Sequence, residues 1–329
     1  MANGAGADVL AGEPVWPDLS LAAWEESRQT LQLWTQIVGR IRLAFEPMVN
    51  HWWQMPLYVS ARGLTTSLMT AGTVGLEIEF DVVDHVLEVR TTRGGKRQVA
   101  LQPRSVADFT AATLSALDQL GVPVSIVTWP VEAPIAAPIA EDQCCPYDSS
   151  AIHRFWSALV QVDRVMARFR ARFLGKVSPV HFFWGAADLA VTRFSGRAVP
   201  LDGNDCVRSS NSAHRKADSH ELSSCGFWPG GSEEGSFYAY AYPEPGGFAE
   251  WPAGPAGAHY DRDLGEFLLP YRAVRQAAEP EVVLLEFFQS TYEGAAILAG
   301  WDRAELEVNG GSAGVESHPA PHRQFVSAR

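Results

Sequence analysis

The sequence has little cysteine, no long apolar run and a shortage of positive charge. Four cysteines in 329 residues, two of them adjacent at Cys144 and Cys145, make a poor disulfide framework. No apolar stretch approaches the roughly 18 residues needed to cross a bilayer. Lys and Arg number 26 against 38 Asp and Glu, a formal net charge of −12. That balance argues against a nucleic-acid partner and against an anionic membrane surface. The opening MANGAGADVLAGEP has neither a basic nor an apolar signal region, so the expected setting is cytoplasmic. A G-x-x-x-x-G-K-[ST] loop is missing, as is a G-x-G-x-x-G after a strand, which lowers the case for P-loop and dinucleotide enzymes.

What is present suits a soluble globular chain long enough for two halves, each with a core of its own. Residues 1–15 and 305–329 read as disordered Gly/Ala-rich tails. Residues 16–130 form a first helix–sheet half, the Pro/Ala-rich 131–147 a connector, and 148–304 a second half. Ser20 is placed to cap a long helix whose apolar positions are Trp24, Leu31, Trp34, Val38, Ile41 and Phe45, and Pro47 stops it. Asp148 is placed to cap a second, with Ile152, Phe155, Leu159, Val162, Met166, Phe169 and Phe173 on one face. GLEIEFDVVDHVLEVR alternates apolar and acidic residues, so a strand and a returning strand are expected there. A helix is expected over 104–120 with Gly121 just past its end, a strand at FYAYAYPEP, and helices near 261–278 and 280–300. The polar stretch within 197–236 is too long for a plain connection and reads as a lid or binding loop.

Each long helix runs into a histidine, an aromatic run and a strand: NHWWQMPLYVSARGLTTS in one half, HFFWGAADLAVTRFSGR in the other. A shift of 130 superposes Arg40 on Arg170, Arg42 on Arg172 and His51 on His181. A shift of 131 superposes Trp24 on Phe155, Trp53 on Trp184 and Arg62 on Arg193. The fold class expected is α+β (α/β-like): two similar helix–strand–strand–helix halves about a pseudo-twofold axis, with mixed or antiparallel sheets. Chance likeness of two amphipathic helices is the other explanation.

Those segments, with WPDLSLAAWEESRQTLQLWTQIVGRIRLAFEP, SHELSSCGFWPGG and FYAYAYPEP, resemble a bacterial family known only as domain of unknown function 5996. The resemblance spans roughly residues 15–305. It implies a bacterial, cytosolic protein and carries no reaction and no site residue with it.

The candidate chemistry therefore comes from the residues. His51 and His181, at matching places in the repeat, would converge on a cleft between the halves if these pack about a twofold axis. An imidazole pair is a start for a metal site, which a carboxylate would complete; hydrogen bonding at a helix–strand corner is the plainer role. His220 and Glu221 are neighbours in the polar loop and serve as base and orienter if that loop is irregular. They are not an H-E-x-x-H helix, because position 224 is Ser. Tyr238 and Tyr240 share a strand face with Tyr242 and suit a pocket wall with hydroxyl tips. Trp53, Trp184 and Trp228 are candidate walls. Arg62 and Arg193 end the repeated strands, either to hold an anionic group or to pair with Glu77, Glu79 and Asp81.

The leading expectation is a small-molecule enzyme with an aromatic-lined pocket between the halves. His51, His181, His220 and Glu221 would be its polar centre, around a divalent metal ion if one is bound. The alternative is a non-catalytic small-molecule-binding or assembly protein in which the same residues are structural.

Overall fold

The computed structural model describes residues 14–126, 144–199 and 219–308. Of the connector expected at 131–147, residues 131–143 lie outside the described residues, as do 127–130, 200–218 of the polar segment, and residues 1–13 and 309–329 of the tails.

Helix α1 (Leu21–Phe45) starts after Ser20 and ends before Pro47, as its spacing predicts. Ser20 makes no side-chain cap, however. The Leu21 amide donates to the Glu233 carbonyl at 2.7 Å instead, which ties the helix start to the second half. Every residue from Thr30 to Arg42 is buried, so α1 is enclosed on all sides and not half-wetted. Polar side chains on it reach carbonyls of other segments: Arg42 Nε donates to the Gln54 carbonyl at 2.7 Å, and Gln32 to the Gly185 carbonyl.

The first sheet is antiparallel and six-stranded. Its strands are β1 (Tyr58–Val59), β2 (Gly63–Thr65), β3 (Met69–Ala71), β4 (Val74–Asp81), β5 (Val86–Thr91) and β6 (Lys96–Ala100). They run in the order β1-β2-β4-β5-β6, with β3 paired to β4. On β4 the alternation resolves as read: Leu76, Ile78 and Phe80 are fully buried. They face α1 and α2 (Val106–Gln119), where Phe109 stacks on Trp34 at 4.6 Å. Ser105 caps α2 by accepting from the Asp108 amide, and Gly121 at φ +73 closes it. A short pair, β7 (Arg104–Ser105) and β8 (Cys144–Cys145), follows.

The second half opens with α3 (Ser149–Ala171), capped by Asp148, whose carboxylate accepts from the Ser150 and Ala151 amides. Its sheet is also antiparallel, in the order β13-β14-β12-β11-β10-β9. The strands are β9 (His181–Phe183), β10 (Asp188–Ala198), β11 (His220–Trp228), β12 (Ser236–Tyr242), β13 (His259–Asp261) and β14 (Glu266–Pro270). Helices α4 (Tyr271–Arg275), α5 (Pro280–Leu298) and α6 (Arg303–Leu306) follow, the last elements of the described residues.

Three expectations change here. HELSSCGFW is the central strand β11 and not a lid, because its apolar members Cys225 and Phe227 are buried on one face. Residues 259–270 form a hairpin where a helix was expected. Asp261 accepts the amides of Asp263 and Leu264, Gly265 turns at φ +73, and Phe267 and Leu269 alternate inward. The C-terminal segment does not end at 304: Glu307 bridges to Phe173, and Trp301 is buried.

The halves meet edge to edge. Leu57, just before β1, and Phe182 of β9 exchange backbone hydrogen bonds at 2.9 and 2.8 Å in an antiparallel bridge. Trp184 lies flat on α1, where a Cβ on Gly39 would fall 2.2 Å from its ring. The protein is thus α+β with two antiparallel sheets around a shared helical layer.

Candidate functional site

Strand alternation decides what each sheet face offers. On β10, Leu189, Val191 and Arg193 are buried against the helices. Asp188, Ala190, Thr192 and Phe194 take the other face. The register carries that face onto Ser224 and Gly226 of β11 and Tyr240 and Tyr238 of β12. Leu268 and Glu266 of β14 continue it. Two clusters occupy this outer face, one at each end.

The first cluster is a pocket of about 400 Å³ lined by Asp188, Trp228, Tyr238, Tyr240, Asp261 and Glu266, among others. Tyr238 lies across β11 to donate its hydroxyl to Asp188, and stacks on Tyr240 with ring centroids 6.3 Å apart. Only glycine at position 226 permits this, since a Cβ there would sit 2.2 Å from the ring. Burial and the Asp188 charge push the Tyr238 hydroxyl well above the usual phenol range. Burial, then the charges of Asp188 and Asp261, raise the Glu266 carboxyl to about 7. The Glu266 carboxyl has no hydrogen bond or ion pair among the described residues, and none of the described pocket-lining side chains is basic. Gly226→Ala is expected to cost about 1–3 kcal/mol in urea unfolding by driving Tyr238 off its seat. An unchanged midpoint would show that the ring moves away freely.

The second cluster sits where the halves meet. His51 lies in a 3-10 turn over 50–52, at φ 61, followed by Trp52 at φ 59. Lys176 Nζ donates to His51 Nε2 at 2.7 Å and lies 4.7 and 5.3 Å from the Phe194 and Trp53 ring centroids. The His220 ring stands 5.8 Å from that of His51. Asn50 Nδ2 bonds His51 Nε2 and Ser219 Oγ, both at 3.1 Å, and Ser219 Oγ bonds His220 Nδ1 at 2.9 Å. Six residues of β10 separate Asp188 from Phe194, about 20 Å of strand, so one small ligand does not span both clusters.

Of the expected site residues, His51, His220 and Trp53 come together, and Trp228, Tyr238 and Tyr240 line the pocket. Of the others, His181 touches Trp53 with ring centroids 5.9 Å apart, and the rest do not join them. His181 is 1% exposed in β9, its Nε2 without a partner among the described residues, and burial and then Arg42 hold its pKa down to about 3. It is therefore a neutral core residue, in a strand where His51 is in a turn. Glu221 points to the other face of β11, where it pairs with Arg197 at 2.6 Å and accepts from Ser195. Arg62 pairs with Asp81 and Asp84, the ion-pair alternative. Arg193 is enclosed by Phe169, Phe173 and Tyr292 on the helix side. Trp184 is buried and donates to the Met55 carbonyl at 2.9 Å. Among the described residues no three His, Cys, Asp or Glu side chains are placed to hold a metal ion, so the expected centre has no ligand set.

A larger cleft of about 670 Å³ at the start of α1 is closed by its own charges. There Arg275 pairs with Glu234 at 2.8 Å and Asp18 at 3.2 Å.

The residues missed were Asp188, Asp261 and Glu266 in the pocket, and Lys176, Asn50 and Phe194 in the cluster. A strand reading of 259–270 would have put Glu266 opposite Phe267 and found one of them. Nothing local marks Lys176, which lies 125 residues from His51.

No helix of the described residues is long and apolar enough to cross a membrane. A family model described as a family of unknown function (DUF5996) matches residues 16–308. No curated protein and no solved structure matches the chain.

Proposed function

Because the chain belongs to a family of unknown function (DUF5996), its role has to come from its residues, and we propose that it is a small-molecule enzyme whose ligand carries a protonated amine. One observation carries the reading: three carboxylates and three aromatic rings line a pocket with no basic side chain among the described residues. Carboxylates neutralise an ammonium, and the faces of Trp228, Tyr238 and Tyr240 attract it once it is desolvated. Glu266, with its carboxyl at about 7, exchanges a proton near neutral pH, the property wanted in a general acid or base. The alternative is a binding protein that uses the same pocket without turnover.

The test is a thermal-shift panel of small amines beside carboxylates and neutral compounds of equal size. Amines are expected to stabilise the wild type and to lose that effect in Glu266→Gln. Stabilisation by carboxylates, or equal response of the variant, ends the reading. Turnover of a bound amine separates enzyme from binding protein.

Glu266→Gln has a second expected outcome. A carboxyl whose folded pKa is raised contributes stability below pH 4.5, and that contribution is lost as pH rises through about 7. At pH 8 the parent carboxylate therefore costs on the order of 2 kcal/mol, reduced by its partial exposure. The variant should unfold at higher urea than the parent at pH 8 and at the same urea at pH 4.

The internal repeat also belongs to this proposal. Each half runs from a long helix into strands paired in chain order, β1-β2-β4-β5-β6 and β9-β10-β11-β12-β14. The antiparallel Leu57–Phe182 bridge suits a twofold axis between β1 and β9. Superposing 21–119 on 149–298 tests it, and helices that fail to overlap once the strands are matched would sink it.

A further inference from the structure

The amine pocket leaves the cluster between the halves unused. We infer that this cluster binds a small oxyanion, the phosphate or carboxylate group of a metabolite. Lys176 carries three ammonium protons and places one on His51 Nε2, which leaves two, while the Asn50 N–H groups are taken up by His51 and Ser219. His220 adds an imidazole linked through Ser219. No carboxylate of the described residues is hydrogen-bonded to Lys176 or His220, although the chain as a whole carries a net charge of −12. A donor-rich, acceptor-poor cluster is complemented by a group that only accepts, and an oxyanion is that group.

The shape of the site agrees. Trp53 and Phe194 flank the ammonium with ring faces, which hold it by cation–π attraction while leaving its remaining protons unspent. Phe194 and His51 form the buried floor, and Lys176 itself is exposed, so a ligand reaches it from solvent. Two successive left-handed residues, His51 and Trp52, bring the imidazole there. A non-glycine residue in that region is strained, and a plain corner would not need two in succession. Asn50, His51 and Trp53 come from the first half, and Lys176, Phe194, Ser219 and His220 from the second. The site therefore exists only where the halves are joined.

The proposal does not depend on the amine pocket, which lies at the other end of the sheet. It is tested on the full chain at pH 6.5 with two probes, inorganic phosphate and acetate, followed by calorimetry and by NMR of ring-labelled histidines. Saturable binding is expected, with the His51 and His220 resonances moving and the pocket variant Glu266→Gln behaving as the wild type. Lys176→Met should weaken binding at least tenfold, and Lys176→Arg should retain most of it. Lys176 is exposed, so these variants should melt with the parent. The tighter of the two probes identifies the group as phosphate or carboxylate. Absence of saturable binding by either probe, or equal affinity in Lys176→Met, overturns the proposal.

Discussion

Arg193→Ala is expected to destabilise the protein by about 3 kcal/mol or more, while Arg193→Met leaves it as stable as the parent or more so. Arg193 is 1% exposed, and its guanidinium carbon lies 3.5 Å from the Phe169 ring centroid, 4.3 Å from Tyr292 and 5.0 Å from Phe173. Nη2 donates to the Phe169 carbonyl, but Nε and Nη1 have no partner among the described residues. Burial lowers the guanidinium pKa to about 10. The side chain is therefore held by packing and cation–π contact, and its hydrogen bonds are incomplete. Alanine removes the packing and leaves a cavity between β10, α3 and α5. Methionine fills most of that volume and removes the unpaired donors. Equilibrium unfolding of both variants decides the matter. If methionine proves as damaging as alanine, the charge itself holds the fold, through Glu307 and the Tyr292 hydroxyl that bonds it at 2.9 Å.

The second large effect is in acid. His181 titrates at about 3 in the fold against an ordinary 6.5, because burial and the Arg42 and Arg170 charges disfavour its protonated form. A depressed folded pKa means that the unfolded chain binds the proton first. Stability is fully present above pH 6.5 and drains away as pH falls toward 3. The loss from this one group is on the order of 4 kcal/mol. Carboxylates in ion pairs add their own acid loss, so the measurement is the difference between wild type and His181→Leu. That substitution conserves volume beside Trp53 and Tyr58 and removes the orphaned Nε2. The two proteins should differ by several kcal/mol in pH dependence between pH 7 and 4. Parallel curves would mean that His181 has a partner or is hydrated.

Much of the fold was readable because its signals are local. The apolar positions of α1 and α3 and the alternation of β4 each report which side of an element is buried, and Asp148 and Gly121 mark the ends by backbone chemistry. The same reading failed at 259–270, where FLLP is too short for its period to tell strand from helix. It failed again at HELSSCGFW, whose small and polar residues look like a loop until two neighbouring strands satisfy their backbone. Burial of α1 around its whole circumference was also hidden. Thr35, Gln36 and Arg40 are not among the apolar positions that the spacing marks, and only a layer of structure on every side makes them interior.

The candidate sites divide in the same way. By itself the sequence determined the long helices and the β4 strand, the face shared by Tyr238 and Tyr240, the aromatic richness around the histidines and the family. Tertiary structure decided which of these residues meet. It joined His51 to Lys176 and His220, sent His181 and Arg193 into the core, turned Glu221 away and gathered Asp188, Asp261 and Glu266 around one cavity. The physical reason is that periodicity encodes only whether a residue turns inward. Which partner it then finds, often more than a hundred residues away, is set by how whole helices and sheets fill space against one another.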